Sequence, residues 1–505
     1  MKNKYLSTSS EWTFELIAQY DKVIGEIAKS YNLDTYPVQI EVITAEQMID
    51  AYSATGMPLG YHHWSFGKQF LQIEQEYLHG YSGLAYEIVI NSNPCIAYLL
   101  EHNSMMMQAL VIAHACYGHN SFFKSNYLFQ TWTNANFIID YLVFAKNYIT
   151  ECEEKYGVEA VEEIIDACHS LMNYGVDKYK RPPKLSIAQE KLRQKDREEY
   201  LQSQVNDLWR TLPKKNEKHP HEIEKRFPEE PQENILYFIE KNAPLLEAWQ
   251  REVIRIVRKI AQYFYPQKQT KLMNEGWATF WHYIIMNELY QKKLVNDDFM
   301  LEFIQNHTNV MSQLPFDHPL YLGINPYTLG YKIFMDLKRI CENPTTEDHE
   351  WFPEFAGRNW VEALDIAMRN YKDESFISQF LSPHLIRDLK LFIINDDEKN
   401  NDLVISAIHN EDGYQKIRET LSDSYNLNTN EPNIQVYDVD MRGDRSLTLR
   451  YIQYERRPLE KDDAKKILRH IHKLWGFKVR LEVEYPDETV KLLMQYPEDV
   501  LPEIT

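Results

Sequence analysis

The feature that most constrains this chain is a change of hydrophobic period. Up to about Leu391 apolar residues recur every three to four positions, and beyond it several runs alternate at every second position. Residues 10 to 32 set the first pattern, with Trp12, Leu16, Ile17, Tyr20, Val23, Ile24, Ile27 and Ala28 forming one stripe behind a cap at Ser9 or Ser10. The second pattern appears in 402–409, 433–438, 446–454 and 479–484, which predict strands, with helices at 411–425 and 460–475 between them. The expected fold is therefore mainly α: a helical domain over 1–390 with a short strand region, then a small α+β domain over 391–505. Only 16 glycines stand against 34 tyrosines and 10 tryptophans, so long helices packed with large rings are expected.

Within the first part the texture changes between Gly60 and Asn91, where glycine and aromatic residues interleave and Tyr86-Glu-Ile-Val-Ile90 predicts a strand. Asn91-Ser-Asn-Pro94 predicts a turn. A helix is expected from Cys95 or Ala97, pausing at Glu101 to Ser104 and continuing from Met105 to about Tyr117. Further helices are expected over 134–174, 235–242, 245–264, 272–289, 325–341 and 359–372. The polar stretch 178–233, with its Arg181-Pro-Pro and Lys-rich segments, predicts an insertion that is in part mobile.

Charge and cysteine usage exclude several function classes. Asp and Glu number 75 against 55 Lys and Arg, a net charge of -20, which argues against nucleic acid as the main partner. No apolar run reaches the roughly 18 residues of a membrane span, and the first residues lack the apolar stretch of a signal peptide, so a soluble cytoplasmic protein is expected. The five cysteines are scattered and never form CxxC, which points to buried free thiols rather than a disulfide framework or thiolate zinc site.

Four segments carry residues suited to chemistry. His114 and His119 stand five apart near the end of an apolar helix, about 140° off one face of a regular α-helix. Joint metal ligation by the pair therefore needs a π-bulge or a break at Gly118. Glu275 and His282 lie seven apart on one helix face, separated by about 10.5 Å of axial rise, so one metal is not expected to take both. Glu275 sits in an apolar, aromatic segment and needs a partner: a metal, a histidine, or an arginine such as Arg255 or Arg258. Tyr327 is placed to donate to an oxyanion, and His62 or His63 to line a pocket.

Two histidines on one helix and a glutamate on a later one form a neutral-nitrogen, anionic-oxygen donor set suited to zinc with one position open. A preceding edge strand and a following tyrosine complete a zincin hydrolase arrangement. The HExxH pattern, however, places a general-base glutamate directly after the first histidine, and here that position is Ala115. Either Glu101, His282 or a shifted carboxylate activates water, or the site performs no conventional peptide hydrolysis.

Six motifs in order carry a resemblance that covers nearly the whole chain: Tyr61-His-His-Trp-Ser-Phe-Gly67, Tyr86-Glu-Ile-Val-Ile-Asn91, Ala113-His-Ala-Cys-Tyr-Gly-His-Asn-Ser-Phe-Phe-Lys-Ser-Asn126, Asn274-Glu-Gly-Trp-Ala-Thr-Phe-Trp-His282, Asn325-Pro-Tyr-Thr-Leu-Gly330 and Phe376-Ile-Ser-Gln-Phe-Leu-Ser-Pro383. Together they resemble the stage V sporulation protein R (SpoVR) family. The resemblance implies a bacterial protein linked in spore formers to cortex peptidoglycan formation, and in other bacteria associated with a PrkA-like serine kinase and its operon neighbour. A weaker likeness is to a zincin-like peptidase group with HExxPGHH, EGWAxYxE and Tyr-x-x-Gly segments. It implies His114, His119 and Glu275 as ligands of a divalent metal, zinc in the first instance, with His282 as a fourth ligand or a partner behind the ligands. The catalytic base does not carry over.

Two functions follow as expectations. One is a metal-dependent hydrolase acting on a peptide, amide or peptidoglycan-related substrate in envelope formation or stress adaptation, using His282, Tyr327 or Glu101 in catalysis. The other is a non-enzymatic adaptor whose site is structural and whose acidic surface and C-terminal domain dock partners.

Overall fold

Helix α1 (Phe14–Ser30) realises the first apolar stripe, burying Ile17, Tyr20, Ile24, Ile27 and Ala28, and is capped by the Thr13 side chain, which accepts from the Leu16 N–H. The cap expected at Ser9 or Ser10 falls instead at Thr13. The computed structural model describes residues 5–53, 60–78, 87–180, 226–315, 318, 321, 323–395, 404–453 and 458–498. Most of the expected insertion at 178–233 lies outside these residues, as does Tyr86.

Packing divides the chain into two compact units, Met1–Ile165 with Lys259–Pro432, and Asp166–Arg258 with Asn433–Thr505. The division expected near 390 therefore falls about forty residues later, and the middle of the chain contributes to the second unit. Ala407, Tyr414 and Ile417 belong to the apolar core of the first unit, which is why the onset of alternation near 391 does not mark a boundary.

In the first unit, β1 (Val38–Ile43), α2 (Ala45–Ser53), α3 (Trp64–Leu78), β2 (Glu87–Ile90) and β3 (Cys95–Leu100) follow α1. The three strands form one sheet in the order β1-β3-β2, with β3 parallel to β1 and antiparallel to β2. Residues 95–100, expected as the start of a helix, are thus the central strand. All six are buried, and a short apolar run covered on both faces has no period to distinguish strand from helix.

Ser104 caps the helical segment that follows, accepting from the Met107 N–H. That segment comprises α4 (Met105–Val111), a π-helix (Ile112–His119) and α5 (Asn120–Ser125), and leads to α6 (Tyr127–Trp132), α7 (Ile138–Tyr156) and α8 (Val158–Ser170). After α9 (Ile235–Asn242) and α10 (Ala248–Gln269) come α11 (Lys271–Gln291), α12 (Asp297–Val310) and α13 (Pro326–Glu342). The reading of the sequence had no counterpart for α2, α3, α12 or β1. Helix α11 is buried almost all round, with Trp277, Phe280 and Trp281 facing different neighbours, so it is the central post of this unit. Asp373 anchors its start by accepting from the N–H groups of Leu272 and Met273.

The second unit contains α9 and a four-stranded sheet of β6 (Asn433–Val439), β7 (Leu447–Ile452), β8 (Val479–Glu484) and β9 (Val490–Tyr496) in sequential order; β4 (Ile393–Asn395) and β5 (Val404–Ala407) pair separately in the first unit. Alternate residues Leu447, Leu449, Tyr451, Val479, Leu481 and Val483 are buried. They pack with the long helix Lys461–Trp475, which buries Leu468, Ile471, Leu474 and Trp475. The α+β character expected for the C-terminal region holds, and strand β9 adds to it. All five cysteines are free and buried. Among the described residues no helix is long and apolar enough to cross a membrane.

Candidate metal centre

The π-helix resolves the spacing of the two histidines. Its bonds run from residue i to i+5, so residues five apart succeed one another on one face. The rings of His114 and His119 accordingly lie 4.6 Å apart and nearly perpendicular. The helix is also drawn close to α11: a β-carbon at Gly118 would sit 2.6 Å from Ala278 Cα. Helix α13 approaches α11 from another side at the pair Gly276 and Gly330, where any β-carbon would overlap the opposing backbone. Asn325 caps α13 through the Tyr327 N–H, which brings Tyr327 to the cavity that Glu275 faces.

Four donor groups converge. His119 Nε2 is 3.5 Å and His114 Nε2 3.7 Å from Glu275 Oε2, and His114 Nε2 is 3.4 Å from Glu87 Oε1. Donor atoms of Glu87, His114 and His119 all lie within 4.8 Å of one another. The opposite ring edges are tied down. His119 Nδ1 is 2.9 Å from Asn274 Oδ1, an acceptor, so Nδ1 carries the proton and Nε2 presents its lone pair. His114 Nδ1 is 2.9 Å from His282 Nδ1, and His282 Nε2 is 2.9 Å from His307 Nδ1.

Burial and mutual charge set the protonation of the cluster. Burial drives the Glu87 carboxyl up to about 7; His114 opposes this and Glu275 adds to it. Burial also raises Glu275, but His119 and His114 outweigh it and hold that carboxyl below its usual range. His119 falls to about 4 through burial, and His307 falls to about 4 for the same reason, with His114 adding to the drop. His282 lies well below its ordinary value, again through burial and then the neighbouring histidines. His114 is raised, because Glu87 and Glu275 together outweigh its burial. Tyr327 is pushed strongly upward by burial and by Glu275, so its hydroxyl keeps its proton.

Glu87 Oε2 and Glu275 Oε2 are buried without a hydrogen-bond partner. Buried carboxylate oxygens left unpaired are costly. Zinc bonds of about 2.0 to 2.2 Å in tetrahedral geometry separate neighbouring donors by roughly 3.3 to 3.6 Å. Of the three separations, 3.4 and 3.5 Å fall in that range and 3.7 Å lies just above it, so the residues are compatible with a divalent metal.

The centre opens on a cavity of about 980 Å³ lined by Tyr52, Asn306, Asn309 and Tyr327 among others, with no lysine or arginine among its described lining residues. Of the residues singled out in the sequence, His114, His119, Glu275, His282 and Tyr327 meet here. Glu101 does not: it lies in the turn after β3 beside His102, with 41% of its side chain exposed, and is not among the lining residues. His62 and His63 line a separate cavity of about 650 Å³. The alternative arginine partners of Glu275 are engaged elsewhere, since Arg255 and Arg258 both pair with Glu240.

Three residues of the centre had not been singled out: Glu87, Asn274 and His307. Glu87 opens the strand just ahead of the histidine helix, and Asn274 directly precedes Glu275. His307 sits on α12, where Phe299, Met300, Phe303 and His307 keep a three-to-four spacing that would have revealed the helix.

Residues 11–430 match the family model described as SpoVR like protein, and residues 432–485 the one described as SpoVR-like C-terminal domain. The junction between the two matches coincides with the Pro432 limit of the first compact unit. The chain is also similar to the uncharacterized protein YcgB of Escherichia coli (strain K12), at 63% identity over 492 residues, 97% of this chain and 96% of that protein. No solved structure matches it.

Proposed function

The chain belongs to the SpoVR family, and on that premise we propose that it is a zincin-like metal-dependent hydrolase of a peptide or amide bond. The observation that carries this reading is the convergence of His114 Nε2, His119 Nε2 and Glu275 Oε2 with both outer ring nitrogens held by other side chains. His114, His119 and Glu275 would hold the ion. Such an ion supplies Lewis acidity, drawing charge from a carbonyl oxygen and acidifying water. Asn274 and His282 orient the two imidazoles. Tyr327, whose hydroxyl stays protonated, donates toward charge developing on a substrate oxygen. The absence of lysine and arginine among the described lining residues suits an uncharged amide better than an anionic substrate.

The cellular setting attached to this activity is cortex or envelope formation, or stress adaptation, with a PrkA-like serine kinase and its operon neighbour as partners. Resemblance to the family alone supports it. A second reading, an adaptor with a structural centre, draws on Ala115, which is fully buried where a hydrolase of the HExxH type has its base. A panel of amide and peptide substrates separates the two. The hydrolase reading expects turnover by metal-loaded wild type and none by H114A or E275A. No turnover on any substrate, together with full cellular function of both variants, would support the adaptor.

A further inference from the structure

We infer that Glu87 is a fourth protein ligand, so that the centre is a two-histidine, two-carboxylate site whose second carboxylate comes from the strand β2 and whose ion would take water or substrate at a fifth position. The inference rests on the metal reading above and extends it to a residue outside the histidine and glutamate helices.

The contact between Glu87 Oε1 and His114 Nε2, at 3.4 Å, is longer than the N–H···O hydrogen bond range of about 2.7 to 3.2 Å. The contact of the same nitrogen with Glu275 Oε2 is longer still, at 3.7 Å. Both distances instead suit neighbouring donors around a shared ion. Glu87 Oε2 and Glu275 Oε2 each lack a hydrogen-bond partner, and the cavity offers no lysine or arginine among its described lining residues. Two carboxylates brought into one such place favour a cation; a protonated His114 would supply a single positive charge. A divalent ion matches their combined charge.

The backbone makes this placement rigid. Glu87 pairs with Leu99 of the central strand β3, and its side chain is 19% exposed. Two imidazoles disfavour magnesium and calcium, while two carboxylates broaden the preference from zinc toward manganese and iron.

The test titrates the metal-free full-length protein with Zn²⁺ and with Mn²⁺ by calorimetry, and follows the Tm shift each ion induces, in wild type, E87Q, E87D and E275Q. Expected are a loss of affinity exceeding about 100-fold in E87Q, comparable with E275Q, and an intermediate loss in E87D at unchanged metal-free Tm. E87D guards against a folding defect in E87Q. Wild-type affinity in E87Q and E87D, with binding lost in E275Q, would overturn the inference and leave a three-ligand centre with the proposed function intact. No binding by wild type would overturn the metal reading and this inference with it.

Discussion

His114 Nδ1 lies 2.9 Å from His282 Nδ1, a contact in which one ring must donate and the other accept. His282 is held neutral by burial and by its histidine neighbours. Its Nε2 faces His307 Nδ1 at 2.9 Å. Two tautomer assignments satisfy both bonds, and the one that frees His114 Nε2 to bind a metal has His114 donating to His282 and His282 donating to His307.

Removing the acceptor should therefore release His114 from that tautomer without touching a ligand. H282L is expected to weaken metal affinity by about 10- to 100-fold, measured by competition with a chelating dye. H307L should have a smaller effect, since it leaves the His114 to His282 bond in place. Unchanged affinity in H282L would show that His282 does not set the tautomer.

The close approach of the π-helix to α11 predicts an overpacking effect. A methyl at Gly118 meets Ala278 Cα at 2.6 Å and Cβ at 2.9 Å, so G118A should destabilise the protein by roughly 1 to 3 kcal/mol. The double variant G118A/A278G should recover only part of this, because the nearest clash is with the backbone. Urea denaturation of the three proteins measures both values, and a neutral G118A would contradict the packing.

Arg339 makes two bonds to Asp348, at 2.7 and 2.9 Å, and another to Asp336 at 2.7 Å. Burial raises Asp348, but Arg339 and Thr345 outweigh it and bring the carboxyl down to about 2. A folded value below the unfolded one means that this stabilisation is present above about pH 3.8 and is lost as pH falls through about 2. R339M takes the guanidinium from two buried carboxylates, leaving Thr345 on Asp348 and Ser382 and His384 on Asp336, and a loss of about 3 kcal/mol at neutral pH is expected by denaturant titration.

The histidines give the metal-free protein a second pH dependence at higher pH. With His119 at about 4 in the folded chain and near 6.5 when unfolded, the unfolded state takes up the proton first. The contribution of His119 is full above about pH 6.5 and is lost as pH falls through about 4. Metal-induced stabilisation should decline in the same direction, because protons compete for the ligand nitrogens. Glu87 and His114 are raised and act in the opposite sense, so thermal melts from pH 7.5 to 4 compare metal-free wild type with H119N, and metal-free with metal-loaded wild type; the same pH trend in wild type and H119N would exclude a buried neutral His119.

The parts of this centre that the sequence reveals are those whose geometry is local. The five-residue spacing of His114 and His119 already demands a departure from the α-helix, and the π-helix provides it. Glu275 in an apolar segment demands a partner, and it faces both histidines. Glu87 and His307 reach the centre across the fold, through strand pairing with β3 and through the packing of α12, and neither contact has a periodic signature in the chain. Strand β3 is misleading for a related reason: burial on both faces erases the alternation by which strands are identified. The boundary near 391 misleads because strands β4 and β5 and the helix Glu411–Ser424 complete the first core rather than starting a second.

Elemental analysis of protein purified without chelators or added metal tests the central claim most directly, with wild type, H114A, H119A and E275A prepared side by side. The account predicts a stoichiometric divalent metal in wild type and its loss in all three variants. Wild-type protein with metal only at background level would contradict it and leave His114, His119 and Glu275 as a buried hydrogen-bonded cluster.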